Sequence, residues 1–76
     1  MGRGQFLVVF HDGNWKIKHL GEHEGPFSSQ KEAIRVAIKR AYRSGLLGGD
    51  GQVFVRGDDD TFWTEWSHGK DAYPPK

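Results

Sequence analysis

The chain has 76 residues, a formal net charge of +1 with neutral histidines, and no cysteine. A chain of this length forms one domain around one small core, and an enclosed active site would compete with that core for few apolar side chains. The lack of cysteine excludes disulfides, thiolate metal sites and a thiol nucleophile, and no stretch approaches the about 20 apolar residues of a membrane span. We therefore expect a single cytoplasmic domain over residues 1–76, with no membrane partner and with flexible ends at 1–4 and in the last residues of the tail.

A first β-hairpin is predicted near the start of the chain. Residues 5–10 form an apolar run rich in strand-forming side chains, and residues 15–20 alternate between apolar and lysine side chains. Asp12-Gly13 between them is typical of a tight hairpin turn, because glycine adopts a positive φ at low cost. The following segment, 21–26, is polar and contains glycine, so it is predicted to be a connection.

A helix is predicted from about Gln30 to Ser44. Ser29 and Glu32 fit a capping box, in which the Ser29 hydroxyl accepts a hydrogen bond from the Glu32 amide and the Glu32 side chain reaches back. Gly45 is predicted to end the helix, since glycine adopts the left-handed conformation found after helix ends. The apolar positions share one face and would pack on a sheet: Ala33, Ile34, Ala37, Ile38, Ala41 and Tyr42.

A second hairpin follows a glycine-rich loop, with strands predicted over residues 53–56 and 61–66 and a turn over 57–60. The element order is then β-β-α-β-β. A right-handed crossover sets the third strand parallel to the second, so pairing beside the first strand makes all neighbours antiparallel. We therefore predict the α+β class, with a four-stranded antiparallel sheet in the spatial order 2-1-3-4 and one helix packed on one face.

Three separated segments are similar to a known family. They are Val-Val-Phe-His-Asp-Gly-Asn-Trp-Lys-Ile-Lys at 8–18, Ser-Gln-Lys-Glu-Ala-Ile at 29–34 and Ser-His-Gly-Lys-Asp-Ala-Tyr-Pro-Pro-Lys at 67–76. With them the chain resembles the bacterial family of small uncharacterised proteins catalogued as domain of unknown function 2188. The chain departs from the family pattern at Phe10, where Pro is usual, and at Trp63 and Trp66, where charged residues are usual. The resemblance implies a fold and a bacterial or phage setting, and it supplies no activity and no catalytic residues.

One face of the predicted helix is basic. Residues 29–45 carry five basic residues and one acidic residue, a net charge of +4, whereas the rest of the chain carries six basic and nine acidic residues, a net charge of −3. The basic stripe consists of Lys31, Arg35, Lys39 and Arg43, which follow one another at intervals of four. Such a stripe can contact phosphates at regular spacing, which makes nucleic acid a candidate partner. A solvated helix surface is the alternative that charge runs on helices usually indicate.

Trp63 and Trp66 are the candidate contacts for a protein partner. Their positions have opposite parity, so both cannot face the helix in a regular strand. At least one of them would then lie on the other sheet face or contact the tail, either as a partner surface or as an aromatic residue covered by Tyr73 and the prolines after it. A sheet with one helix also leaves one face uncovered, which a second copy of the chain could bury.

No set of residues typical of catalysis, cofactor binding or metal binding is recognised. His19 and His23 are four apart, but Gly21 lies between them and no third ligand accompanies them. Ser67 and His68 are adjacent, and adjacent residues in an extended segment point apart. We therefore expect no enzyme activity, no cofactor and no metal.

The sequence thus favours a non-enzymatic domain of unknown function that binds a protein. Its predicted contact surface is the open face of the sheet, and a second copy of the chain is one candidate partner. A nucleic-acid-binding module that uses the basic helix face is the alternative.

Overall fold

The computed structural model describes residues 4–57 and 59–75, in which one α-helix packs on a five-stranded sheet. The elements in chain order are β1 (Gln5–His11), β2 (Asn14–His19), β3 (Glu22–Phe27), α1 (Gln30–Leu46), β4 (Gln52–Arg56) and β5 (Phe62–Ser67). The spatial order of the strands is β3-β2-β1-β4-β5. β1 and β4 are parallel and the other neighbours are antiparallel, so the sheet is mixed.

The predicted class, α+β with one helix, is confirmed, but the prediction of four antiparallel strands is wrong. The four predicted strands are β1, β2, β4 and β5, and they lie side by side in the predicted order. The additional strand β3 reverses the chain once more before the helix, so β3 runs parallel to β1. The crossover through α1 then sets β4 parallel to β3, and therefore parallel to β1.

β3 lies in the segment that was predicted to be a connection. The chain enters it through a two-residue turn in which Leu20 and Gly21 have φ of 52° and 82°. Positive φ at both central positions is typical of the tight turns that join hairpin strands, but leucine is not among the residues that usually signal them. Across the layer boundary, Arg40 of α1 binds Glu24 of β3 through two nitrogens, with Nε 2.9 Å from Oε1. The hydrogen bond to Glu24 raises the pKa of Arg40, and the pair ties this edge strand to the helix.

The predicted cap begins α1. The Ser29 hydroxyl accepts from the Glu32 amide at 3.1 Å. The Glu32 carboxylate accepts from the hydroxyl and the amide of Ser28, at 2.6 and 2.9 Å. These hydrogen bonds from Ser28 hold the pKa of Glu32 below its usual value. The cap at Ser29 is confirmed, while the acidic side chain reaches one residue further back than predicted.

The helix ends at Leu46, two residues later than predicted, and Gly45 lies inside it. The left-handed residue after the helix is Gly48, with φ 88°. The amides of Gly49 and Gly48 donate to the carbonyls of Ser44 and Gly45, at 3.0 and 3.1 Å, which is a Schellman motif. Gly45 instead allows a close contact, because a Cβ there would lie 2.4 Å from Cγ of the His68 ring.

The core lies between α1 and one side of the sheet. Val8 is at its centre, opposite Ile17 on one side and Val55 on the other. The buried cluster comprises Phe6, Val8, Ile17, Ala33, Ala37, Ile38, Ala41, Val53, Val55 and Trp66. Four of these residues belong to the predicted apolar face of the helix, and Ile34 and Tyr42 pack partly buried beside them. The predicted docking of this face on the sheet is therefore confirmed.

The residues near both ends of the described part of the chain contact the rest of the domain. Gly4, predicted to be flexible, is buried, and its carbonyl accepts from the Gln52 amide at 2.9 Å. The ring of Tyr73 stacks on that of Tyr42, with centroids 3.8 Å apart and 5° between the planes. The rest of the predicted flexible ends, residues 1–3 and Lys76, lies outside the described residues.

Replacing Gly45 by alanine tests its contact with His68. In an unconstrained helix interior this change stabilises by about 1 kcal/mol, but here the added methyl group meets the imidazole ring. We expect Gly45→Ala to lower the free energy of unfolding by about 1–3 kcal/mol, as overpacking does, measured by urea denaturation. In a His68→Ala background the same change should be neutral or stabilising. An equal loss of stability in both backgrounds would contradict the proposed contact.

Candidate binding surfaces

α1 packs on one side of the sheet and leaves the opposite side open. Strand pairing places on that side, which we call the open sheet face, the residues Gln5, Leu7, Val9, His11, Asn14, Lys16, Lys18, His23, Gln52, Phe54, Arg56, Phe62, Thr64 and Ser67. None of these strand residues is acidic. The open sheet face therefore combines apolar and basic side chains.

An apolar group lies in the middle of the open sheet face. Leu7 of β1 is directly opposite Phe54 of β4, Val9 is the next residue of β1 on this side, and Phe62 stands at the start of β5. Val9 is 3% exposed and Phe62 is 53% exposed, while Leu7 and Phe54 are half-buried. Exposure therefore increases from the central strand toward the β5 edge, where the accessible apolar surface is aromatic.

Basic side chains flank this apolar group. Lys16 and Lys18 of β2 pair with the two apolar residues of β1, and Arg56 of β4 pairs with Phe62 of β5. Within the described part of the chain, none of the three basic residues forms an ion pair. Asp59 and Asp60 lie between β4 and β5. The open sheet face thus presents basic side chains beside apolar surface, and no described residue forms an ion pair with them.

The histidines are divided between the two sides of the sheet. His11 and His23 stack on the open sheet face, with ring centroids 5.7 Å apart. His19 lies on the helix side and stacks on Phe6, with centroids 4.0 Å apart. His19 and His23 therefore do not converge. Among residues 4–57 and 59–75, no three histidine, aspartate or glutamate side chains are grouped to hold a metal ion.

Trp63 and Trp66 both lie on the helix side of the sheet, so neither belongs to the open sheet face. Pairing sets them opposite Val55 and Val53, because a register shift in the β4–β5 pair places Glu65 as an additional residue between them. Such a bulge changes the alternation of side chains along the strand. The parity argument from the sequence applies to a regular strand and therefore fails here.

Trp66 closes the core against the C-terminal tail. It is 3% exposed, its Nε1 donates to the Ala72 carbonyl at 2.9 Å, and its ring meets the Tyr73 ring edge-on. Trp66 thus corresponds to the second expectation for the tryptophans, an aromatic residue covered by Tyr73 and the tail. Trp63 remains 44% exposed, and its Nε1 donates to Glu65 at 2.9 Å. Trp66 is therefore inaccessible to a partner, whereas Trp63 is accessible at the β5 edge.

The basic stripe on α1 is exposed over its whole length. Its members are Lys31, Arg35, Lys39 and Arg43. None of them forms an ion pair with another described residue, although Arg35 lies close enough to Glu32 to help lower the pKa of that carboxyl. Arg40, beside the stripe, is paired with Glu24. The structure therefore presents the stripe as a row of four available cations on the side of the molecule opposite the open sheet face.

Sequence reasoning missed the aromatic residues of the open sheet face. Phe54 lies on it because it pairs with Leu7 of β1, and Phe62 lies on it because of the register between β4 and β5, which includes the bulge. The lysines carried a clearer signal, since Lys16 and Lys18 alternate with Trp15 and Ile17. Alternation within β2 therefore predicts the basic residues of the open sheet face, whereas the position of its aromatic residues depends on strand pairing.

The two tryptophans should differ in their contribution to stability. Trp66→Ala removes a buried ring and should lower the free energy of unfolding by about 3–5 kcal/mol. Trp63→Ala removes a half-exposed ring and should cost less than about 1.5 kcal/mol, close to the range of surface changes. Urea denaturation of both variants measures the difference, with Trp66→Phe as a milder substitute if Trp66→Ala does not fold. Equal losses for the two positions would contradict their assignment.

Within the described residues, α1 is the one helix, and it lacks the length and apolar character needed to cross a membrane. No curated protein and no solved structure matches the chain. The model of one family, described as an uncharacterised protein conserved in bacteria (DUF2188), matches residues 6–68. That match covers both hairpins, β3 and the helix, and it confirms the resemblance seen in the sequence. The chain therefore belongs to the DUF2188 family of uncharacterised bacterial proteins.

Proposed function

We propose that this protein is a non-enzymatic interaction domain of the bacterial cytoplasm that binds another protein through the open sheet face. The observation that carries this proposal is an apolar group flanked by cations that form no ion pair with a described residue, on a face that no described element covers. Protein interfaces commonly combine an apolar centre with a polar rim. Leu7, Phe54 and Phe62 would form the centre, and Lys16 and Lys18 would belong to the rim.

The charge of the face favours a partner with an acidic rim. Close opposite charges across an interface steer association, whereas like charges oppose it. In a two-fold dimer each patch meets its own copy, so Lys16, Lys18 and Arg56 would meet an equally basic surface. A second copy of this chain therefore fits the open sheet face less well than a different protein with carboxylates around an apolar patch.

Photocrosslinking in bacterial cells tests the proposal, because it captures a bound molecule whatever its identity. Benzoylphenylalanine replaces Phe62 on the open sheet face, and in a matched control it replaces Phe10, which is 55% exposed and lies on the helix side of β1. We expect a discrete nuclease-resistant protein adduct from position 62 but not from position 10. The double variant Lys16→Glu, Lys18→Glu should reduce the yield at least tenfold, whereas Arg35→Glu, Lys39→Glu should leave it unchanged.

Mass spectrometry of the adduct identifies the crosslinked molecule. An adduct of twice the protein's own mass would show that the partner is a second copy of the chain. A nuclease-sensitive adduct would show that the partner is nucleic acid. Adducts of equal yield from positions 62 and 10, or yields unaffected by the lysine changes, would overturn the proposal.

Nucleic-acid binding through the basic stripe is the second candidate, because its four cations are exposed and unpaired within the described residues. Lysine and arginine side chains that neutralise phosphates release counterions, so binding weakens with salt. The stripe and the open sheet face lie on opposite sides of the molecule. Variants of one surface therefore serve as controls for the other.

Fluorescence anisotropy with a labelled DNA duplex measures this second activity. If all four stripe residues contact phosphates, the logarithm of the binding constant should fall with the logarithm of salt concentration with a slope of about −3.6. Arg35→Glu, Lys39→Glu should weaken binding at least tenfold, whereas Lys16→Glu, Lys18→Glu should change it less than twofold. Binding without a salt slope, or equal effects of both double variants, would exclude the stripe as a nucleic-acid site.

A further inference from the structure

A groove separates the C-terminal half of α1 from the strands beneath it. Its walls include Phe6, His19, Lys39, Arg43 and Leu47, and the groove, which is open to solvent, has a volume of about 410 Å³. We call it the Leu47 groove. Its volume lies within the about 300–1,000 Å³ common for small-molecule sites. The groove lies on the helix side of the sheet, so it is separate from the open sheet face.

Leu47 and the edge of the buried Phe6 ring supply the apolar part of the lining of the Leu47 groove, and Leu20 and Leu46 lie outside the lining. The rings of Phe6 and His19 stack in it, with 16° between their planes. Leu47 is 81% exposed, and Leu46 and Leu20 are 62% and 67% exposed, which makes these three leucines the most exposed large apolar residues described. Leu20 follows β2 directly after His19, and the other two end or follow α1, so the topology places all three at the same end of the molecule.

The helix side of the groove is cationic. Arg40 also reaches the groove, but its charge is compensated by Glu24. Lys39 and Arg43, one helical turn apart, form no ion pair within the described part of the chain. The groove therefore offers two uncompensated positive charges beside an apolar surface, an arrangement complementary to an anionic head on an apolar chain.

We infer that the Leu47 groove binds an anionic amphiphile, an acyl or alkyl chain that carries a phosphate or carboxylate head. The head would contact Lys39 and Arg43, and the chain would lie against Leu47 and the ring of His19, which stacks on the buried Phe6. Burial of the methylene groups of the chain adds affinity that the charges alone do not supply. The same head group can come from a dissolved amphiphile or from an anionic lipid surface.

This inference is distinct from nucleic-acid binding, although both use Lys39 and Arg43. A nucleic acid that follows the whole basic stripe also needs Lys31 and Arg35, which border a different groove next to Pro75. An amphiphile in the Leu47 groove needs Leu47 and not Lys31 or Arg35. The two halves of the stripe therefore provide a matched pair of double variants, each of which reverses two charges on exposed side chains.

The test is an NMR titration of the folded chain with decyl phosphate below its micelle concentration. We expect saturable shift changes at amides of the Leu47 groove. Lys39→Glu, Arg43→Glu should weaken binding at least tenfold and Leu47→Ser at least threefold, whereas Lys31→Glu, Arg35→Glu should change it less than twofold. Decyltrimethylammonium, which has the same chain and the opposite charge, should bind at least tenfold more weakly.

Vesicles distinguish the two sources of the ligand. Sedimentation with phosphatidylglycerol vesicles but not with phosphatidylcholine vesicles, lost in Lys39→Glu, Arg43→Glu, would identify a lipid surface as a source. Saturable binding of decyl phosphate without sedimentation would identify a dissolved amphiphile. The inference is overturned if neither probe binds, if both double variants weaken binding equally, or if the cationic amphiphile binds as well as decyl phosphate.

Discussion

Close packing of one helix on the sheet is the constraint on which the rest of the structure depends. Ala33, Ala37 and Ala41 are fully buried, and their small side chains let the backbone of α1 approach the central strands. Because α1 uses its apolar face for this contact, its lysines and arginines must face solvent. Because there is no second helix among the described residues, Phe62 and parts of Leu7 and Phe54 remain accessible on the other side of the sheet. Both candidate surfaces are consequences of the same packing.

Much of this packing could be predicted from local signals. The capping serine, the spacing of the alanines and isoleucines, and the Asp12-Gly13 turn each act within a few residues, so the sequence displays them directly. The four-residue spacing of the basic stripe is equally local and depends only on the helix being formed. The order of the four predicted strands also follows from one hairpin on each side of a crossover.

The features that could not be predicted depend on contacts between distant residues. β3 contains Glu22, Glu24, Gly25 and Pro26, a poor strand composition, and it is held by pairing with β2 and by Arg40. Because β3 was not predicted, the strands that correspond to β1 and β4 were predicted to be antiparallel, whereas they are parallel. Likewise, the bulge in β5 is set by pairing with β4 and moves Trp63 to the helix side. One unrecognised strand and one additional residue thus account for the wrong strand count and direction and for the failure of the parity argument on the two tryptophans.

The turn between β2 and β3 places Leu20 where folding gains nothing from it. Its left-handed backbone conformation costs an ordinary L-residue about 1–2 kcal/mol, and its mostly exposed side chain gains little from burial. Asparagine or glycine would suit this turn better. Neither backbone conformation nor packing within the domain therefore explains a leucine at position 20, whose hydrocarbon side chain projects into solvent at this end of the molecule.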